Sequence, residues 1–285
     1  MRIRALLIAV IALIVAGSAS AAHPKPKLVR IVRQAGAFTA TLTYVQRGDY
    51  NSRHITLRVR RRGTIVLSRK ICPLVPSGIG GRCEWTLSSG PSLSVAPVGP
   101  GGRPAFLVKA WNGGNHCCTD TFIAIPGSKP AWITREWSGA KGWGDARIER
   151  RQGQHVFVTG DGRFFCVFSF CAGAAVPIRV FAIDRNDSLV NVTRHFPGLI
   201  RADLQRFETV GGRRVTARAM VRAYGSGVFA AWCGDEYLLG NGAHCSRLLA
   251  WAAKHHWPKR MGGVVPNHAF ARGLNRDLKR WGYEH

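Results

Sequence analysis

The segment Phe122-Ile123-Ala124-Ile125, followed by Ala131-Trp132-Ile133-Thr134, decides the fold class. The same arrangement of two short apolar runs recurs 58 residues later, as Val180-Phe181-Ala182-Ile183 and Leu189-Val190-Asn191-Val192. Short runs rich in β-branched and aromatic residues, separated by turn residues, are typical of antiparallel strands. Their recurrence at a fixed spacing predicts repeated antiparallel units, arranged as a propeller or as stacked sheets.

An earlier copy of this unit lies 66 residues upstream, where Leu57-Arg58-Val59 and Ile65-Val66-Leu67-Ser68 flank a basic turn. Any β-meander resembles itself when it is shifted, so a meander without a true repeat is the alternative. Whether the chain contains a true repeat or a simple meander, strand-like patterns extend from about Leu28 to Val215. The chain is therefore predicted to be mainly β in this part.

After Val215 the apolar residues follow the i, i+3, i+4 spacing of helices. We predict helices over Ala217–Leu239, Ala243–His256 and Asn267–Trp281, with Gly225 and Gly227 weakening the first. The predicted organisation is therefore a signal peptide at residues 1–22, a β-repeat domain at 23–215 and an α-helical C-terminal region at 216–285.

Residues 1–22 have the pattern of a secretory signal peptide. Two arginines precede an apolar run at residues 5–16, and small residues at 19–21 form a cleavage site. The alternative is an uncleaved anchor, but twelve apolar residues are short for a bilayer span of about 20. We expect a secreted or periplasmic protein with no transmembrane span after cleavage.

An even number of cysteines in an exported chain predicts disulfides. Sequence proximity favours the pairs Cys72–Cys83, Cys166–Cys171 and Cys233–Cys245, and it leaves Cys117 and Cys118 either bridged as neighbours or paired separately with distant partners. His116 and His244 stand beside cysteines, as zinc ligands can. The spacing typical of structural zinc sites is absent, so we predict no metal or other cofactor. The disulfide candidates are Cys72, Cys83, Cys117, Cys118, Cys166, Cys171, Cys233 and Cys245.

Two stretches resemble exported bacterial β-propeller repeats of the FG-GAP/VCBS type. Residues 98–108 resemble the loop and strand of such a repeat, and Gly113-Gly114-Asn115-His116-Cys117-Cys118 is similar to a Gly-Gly-x-His-Cys-Cys element that follows the strand in some members. Gly160-Asp161-Gly162-Arg163-Phe164 resembles a second, degenerate copy. The resemblance implies a calcium-binding loop, but Val98 to Gly102 contains no carboxylate and Asp161 alone cannot supply six to eight oxygen ligands.

The charge of the chain is its most unusual property. Lys and Arg total 41 against 15 Asp and Glu, giving +26, or +24 once Arg2 and Arg4 leave with the signal peptide. The densest run contains Arg58, Arg60, Arg61 and Arg62, and alternation along a strand places Arg58, Arg60 and Arg62 on one face. Guanidinium groups bind phosphate and carboxylate bidentately, so these four arginines are candidate ligands for an anionic envelope polymer. A solvated edge that discourages aggregation is the alternative.

No nucleophile elbow, zinc-protease motif or phosphate-binding loop occurs in the sequence. Export and the absence of a nucleic-acid-binding motif also argue against nucleic acid as the partner. The sequence therefore favours a non-enzymatic binding or envelope-associated module. The alternative is an exported hydrolase of an anionic polymer, with Asp161 or the pair Asp235/Glu236 as acids.

Overall fold

The structure is a computed structural model that describes residues 25–48, 51–74, 84–86, 90–111, 119–137, 145–169, 174–223, 225–255 and 267–284. The predicted signal peptide lies outside these residues. Within them, no helix is long and apolar enough to cross a membrane.

The described residues between Lys27 and Asn191 form three antiparallel sheets, each with four strands paired in chain order, and a short fifth strand joins the first sheet. The N-terminal sheet consists of β1 (Lys27–Ala35), β2 (Phe38–Arg47), β3 (Asn51–Arg61) and β4 (Thr64–Lys70), with the short β5 (Glu84–Thr86) pairing with β3. The middle sheet consists of β6 (Ser92–Ala96), β7 (Ala105–Trp111), β8 (Thr119–Ile125) and β9 (Ala131–Trp137). The third sheet consists of β10 (Arg147–Arg151), β11 (Gln154–Gly160), β12 (Ile178–Ile183) and β13 (Leu189–Asn191).

This topology confirms the repeat predicted from the sequence. The three matching segments are the last two strands of the three sheets, namely β3–β4, β8–β9 and β12–β13. The segment Gly160–Phe164 follows β11, the second strand of the third sheet. Residues 113–118 lie outside the described part of the chain, but by sequence they also follow a second strand, β7.

The three sheets are stacked face to face. One apolar cluster joins the inner face of the N-terminal sheet (Leu42, Leu57) to one face of the middle sheet (Phe106, Phe122). A second cluster joins the other face of the middle sheet to the third sheet through residues such as Ile123 and Phe157. The remaining face of the third sheet packs against the helical region. The order of layers is therefore sheet, sheet, sheet, helices.

The helical region begins earlier than residue 216. Helix α1 (Pro197–Phe207) follows the third sheet directly and packs on α3, and a small hairpin of β14 (Thr209–Val210) and β15 (Arg213–Arg214) comes next. The remaining helices are α2 (Ala217–Ala223), α3 (Ser226–Leu238), α4 (Gly242–Lys254) and α5 (Asn267–Arg280). The predicted helix over Ala217–Leu239 is thus two helices, because the chain leaves helical geometry at Gly225, whose backbone is extended.

One predicted disulfide is confirmed. Cys233 of α3 and Cys245 of α4 are bonded, with their Cα atoms 5.2 Å apart, and both are fully buried. Cys72 and Cys166 are also disulfide-bonded, and no described cysteine has a free thiol. Cys83, Cys117, Cys118 and Cys171 lie outside the described residues, so the pairs Cys72–Cys83 and Cys166–Cys171 stay predictions.

Replacing both Cys233 and Cys245 by alanine should lower the free energy of unfolding by about 3 kcal/mol, because the bond closes a short loop in the unfolded chain. Urea unfolding followed by circular dichroism measures this change. Arg247→Ala, at an exposed position of α4, is the control and should leave the midpoint nearly unchanged. An unchanged midpoint in the double variant would show that α3 and α4 are held together by packing alone.

Candidate functional site

The outward face of the N-terminal sheet carries a group of cations, which we call the cationic face: Arg30, Arg58, Arg60 and Lys70. Ile55, Leu57 and Val59 of β3 point into the core, so the alternating positions Arg58 and Arg60 point outward. Strand register adds the other two members. A single row across the sheet runs from Arg30 of β1 through Thr43 of β2 and Thr56 of β3 to Lys70 of β4, so Arg30 and Lys70 point to the same side.

The other two predicted ligands do not lie on this face. Arg61 ends β3, and its guanidinium carbon is 5.9 Å from the centre of the Phe38 ring. Arg62 lies in the turn to β4 with a φ of 47°, so the prediction that it continues the strand face with Arg58 and Arg60 is wrong. The residue is displaced because the β3–β4 hairpin turns at Arg62-Gly63. Both side chains therefore stand at the end of the sheet.

None of the four cations of the cationic face has an acidic neighbour in strands β1 to β4, whereas the short strand β5 of the same sheet carries Glu84 opposite Arg53 of β3. Strands β1 to β4 contain no aspartate or glutamate, and no ion pair joins the four cations to a carboxylate elsewhere in the described chain. Threonines separate the cations, and Leu28, Val32 and Ile65 are exposed by 71%, 42% and 49%. A flat surface with unpaired cations and exposed aliphatic groups is suited to contact with an anionic polymer.

A second cluster of arginines lies between the middle and third sheets, around Asp161. Asp161 follows β11 and is 5% exposed. Arg163 donates to both of its carboxylate oxygens, at 2.9 and 2.6 Å, and Arg179 donates to Oδ2 at 3.0 Å. The hydroxyl of Tyr283, near the end of the chain, donates to the same Oδ2 at 2.7 Å. The Asp161 carboxylate thus accepts hydrogen bonds from Arg163, from Arg179 of β12 and from Tyr283 at the same time.

These contacts fix the protonation state of Asp161. Burial by itself raises the pKa of the carboxyl group, but the hydrogen bonds from Arg163 and the charges of Arg179 and Arg163 outweigh burial and hold the pKa at about 2. A carboxylate with this pKa has no proton to donate near neutral pH. The hydrolase hypothesis, which requires Asp161 as an acid without arginine partners, is therefore wrong about this residue.

Asp235 and Glu236 are also unsuited to act on a polymer. Both belong to α3 and are buried, at 0% and 3% exposure. Burial, then the charge of Asp203 and a hydrogen bond with it, raises the pKa of Asp235 well above its usual range. The Glu236 carboxylate contacts Nδ1 of His244 at 3.1 Å. These groups lie in the interior of the helical region, where a polymer chain cannot reach them.

The acidic segment Asp184–Asp187 is a turn between β12 and β13. Asp184 Oδ1 accepts hydrogen bonds from the backbone N–H groups of Asn186 and Ser188, both at 2.9 Å, and Asp187 is paired with Arg103. These carboxylates therefore serve the turn and an ion pair. Across the described residues, no group of three or more His, Cys, Asp or Glu side chains is arranged to hold a metal ion.

Asp120 is a buried carboxyl group that the sequence patterns do not single out. It lies on β8 at 0% exposure, and its Oδ2 accepts a hydrogen bond from the Leu74 N–H, 2.9 Å away. Burial raises its pKa to about 6, with the Leu74 hydrogen bond opposing and the negative charge of Glu136 adding to the shift. Asp120 thus connects the segment after β4 to the middle sheet, and it titrates near neutral pH.

The chain matches no protein-family model, and comparison with curated proteins and with solved structures finds no similar chain. A function must therefore be inferred from the geometry of its own surfaces. Two cationic regions carry that inference: the cationic face of the N-terminal sheet and the arginines around Asp161.

Asp161→Asn should lower the free energy of unfolding by about 3 kcal/mol at neutral pH, because Arg179 stays buried without its carboxylate. Since the pKa of Asp161 lies below its ordinary 3.8, this stabilisation should be lost as the pH falls from about 4 towards 2. Asp187→Asn, which removes a more exposed ion pair with Arg103, is the control and should change stability by about 0–1 kcal/mol. Equal effects of the two substitutions in urea unfolding would contradict the role assigned to Asp161.

Asp120→Asn should raise the melting temperature more at pH 7.5 than at pH 4.5. The pKa of Asp120 is raised in the folded protein, so its contribution to stability falls as the pH rises from about 4 through 6, whereas asparagine does not titrate. Thermal unfolding of both proteins at the two pH values measures the difference. A gain of the same size at both pH values would show that Asp120 does not titrate in this range.

Proposed function

We propose that the protein is a non-enzymatic binding module that attaches to an anionic polymer of the cell envelope through the cationic face of the N-terminal sheet. The observation that carries the proposal is the composition of that face: four outward cations and no carboxylate on strands β1 to β4. The sequence features of a signal peptide and the disulfide between Cys233 and Cys245 support a place outside the cytoplasm.

The spacing of the cations suits a repeating polyanion better than one small ion. Arg58 and Arg60 are two residues apart on one strand, which separates them by about 7 Å. Arg30 and Lys70 stand three strand spacings apart, which is about 14 Å. No single carboxylate or phosphate group can contact all four cations, whereas a chain of such groups laid across the sheet can.

The position of this face in the stack also supports the proposal. It is the outer surface of the first layer, and the interior face of the same sheet is packed against the middle sheet. Attachment there leaves the third sheet and the helices unobstructed. The likeness to exported β-propeller repeats is consistent with an envelope location and is part of the same proposal.

Binding should be strongest at low ionic strength and should weaken as salt screens the exposed charges. Columns of immobilised polyphosphate and poly-glutamate serve as probes with phosphate and carboxylate groups. The double substitution Arg58→Gln/Arg60→Gln should elute at lower salt than the wild-type protein. The control is Arg150→Gln/Arg185→Gln, which removes the same charge from exposed positions of the third sheet.

Later elution of the control than of the Arg58/Arg60 variant supports binding at the cationic face. Identical elution of the two double variants would show that retention depends on total charge alone. Absence of retention even at low ionic strength would overturn the proposal.

A further inference from the structure

A cleft opens where the middle and third sheets meet, beside the Asp161 cluster. It has a volume of about 680 Å³. Its wall is formed by the end of β9, the segment after β11 and parts of β12 and β13. The lining side chains that matter for its chemistry are Arg135, Trp137, Arg163, Arg179, Phe181 and Asn191.

The charges in this cleft do not cancel. Its lining contains three arginines, Arg135, Arg163 and Arg179, and two carboxylates, Asp161 and Glu136. Glu136 alternates with Arg135 and Trp137 along β9 and stands beside Asp120 on the opposite face of the middle sheet. Its charge acts on both Asp120 and Arg135. The cleft therefore has one more cation than carboxylates, with Arg179 buried and Arg135 and Arg163 exposed.

Arg135 makes no hydrogen bond and no ion pair with Asp161. Arg163 and Arg179 both donate hydrogen bonds to Asp161, whereas no hydrogen bond or ion pair joins Arg135 to any other described residue. Burial lowers the pKa of Arg135, and the charges of Arg163 and Arg179 act in the same direction, against the opposing charges of Asp161 and Glu136. An anion placed beside Arg135 would relieve this repulsion.

Aromatic rings hold the Arg135 guanidinium in place. Its central carbon lies 4.8 Å from the centre of the Phe181 ring and 5.8 Å from that of Trp137. Trp137 is itself fixed by stacking on Phe157, at 5.6 Å between ring centres. A guanidinium held over an aromatic ring keeps its N–H groups available for a planar or tetrahedral oxyanion, and little conformational freedom is lost on binding.

We propose that this cleft is a binding site for the oxyanion group, carboxylate or phosphate, of a small organic ligand, and that Arg135 contacts that group directly. The site is separate from the cationic face, because it lies on the opposite side of the middle sheet. A cleft of this volume holds a molecule of the size of a sugar phosphate or a short carboxylic acid.

The test uses the full chain and two probes, inorganic phosphate and citrate, with sodium chloride at matched ionic strength as the reference. We expect phosphate or citrate to raise the melting temperature above the chloride reference, because binding to the folded state stabilises it. Arg135→Gln should weaken the apparent affinity by about tenfold or more, and Arg135→Lys should retain part of it, since lysine keeps the charge but loses the bidentate geometry. The probe that produces the larger shift identifies the oxyanion.

Two controls separate this site from other cationic surfaces. Arg150→Gln removes one exposed charge from the same third sheet and should bind both probes as the wild-type protein does. Arg58→Gln/Arg60→Gln should also bind them normally, even if it no longer binds the polymers, so the two proposals fail or succeed independently. The proposal is overturned if chloride at equal ionic strength gives the same shift, or if the Arg135 variants bind the probes as tightly as Arg150→Gln.

Discussion

The strand-rich part of this protein depends on the burial of both faces of the middle sheet. On β7, Phe106 and Val108 pack towards the N-terminal sheet, while Ala105 and Leu107 pack towards the third sheet, and all four are fully buried. A fully buried large aliphatic or aromatic side chain contributes about 1.5–3 kcal/mol relative to an exposed one. A sheet that is apolar on both faces is stable only between two other layers, so the N-terminal and third sheets are both needed.

The same constraint explains the ends of the stack. The third sheet is also apolar on both faces, and the helical region covers its outer side with side chains such as Phe229 and Trp232. At the opposite end no further layer is present in the described structure, and the outward positions of β2 and β3 include Thr39, Thr41, Arg58 and Arg60. The cationic face is therefore where the stack meets solvent, which is why its charges are exposed and available to a partner.

The sequence reveals this layering through the pattern of each strand. In β3, Ile55, Leu57 and Val59 alternate with polar residues, as expected for one buried face, whereas the run Phe122–Ile125 in β8 is apolar throughout, as expected for two buried faces. The strands, the repeat and the Cys233–Cys245 bond were therefore predictable from local patterns. The cleft at Arg135 was not, because its members come from four separate strands and segments, and only the packing of two sheets brings them together.

The two cationic regions differ in a way that decides what each can bind. The charges of the cationic face meet solvent, so each contact is weak and screened by salt, and useful affinity requires many contacts at once. Around Asp161, Arg179 is buried, and Arg135, although exposed, is held against Phe181. Because folding already orders these side chains, binding a single anionic group costs little further conformational entropy. Asp161 makes that arrangement possible: without its charge, Arg163 and Arg179 would repel each other, and the Tyr283 hydroxyl would lose its hydrogen-bond acceptor. A carboxylate of this kind is best understood as a positioning residue that keeps neighbouring arginines in place for an external anion.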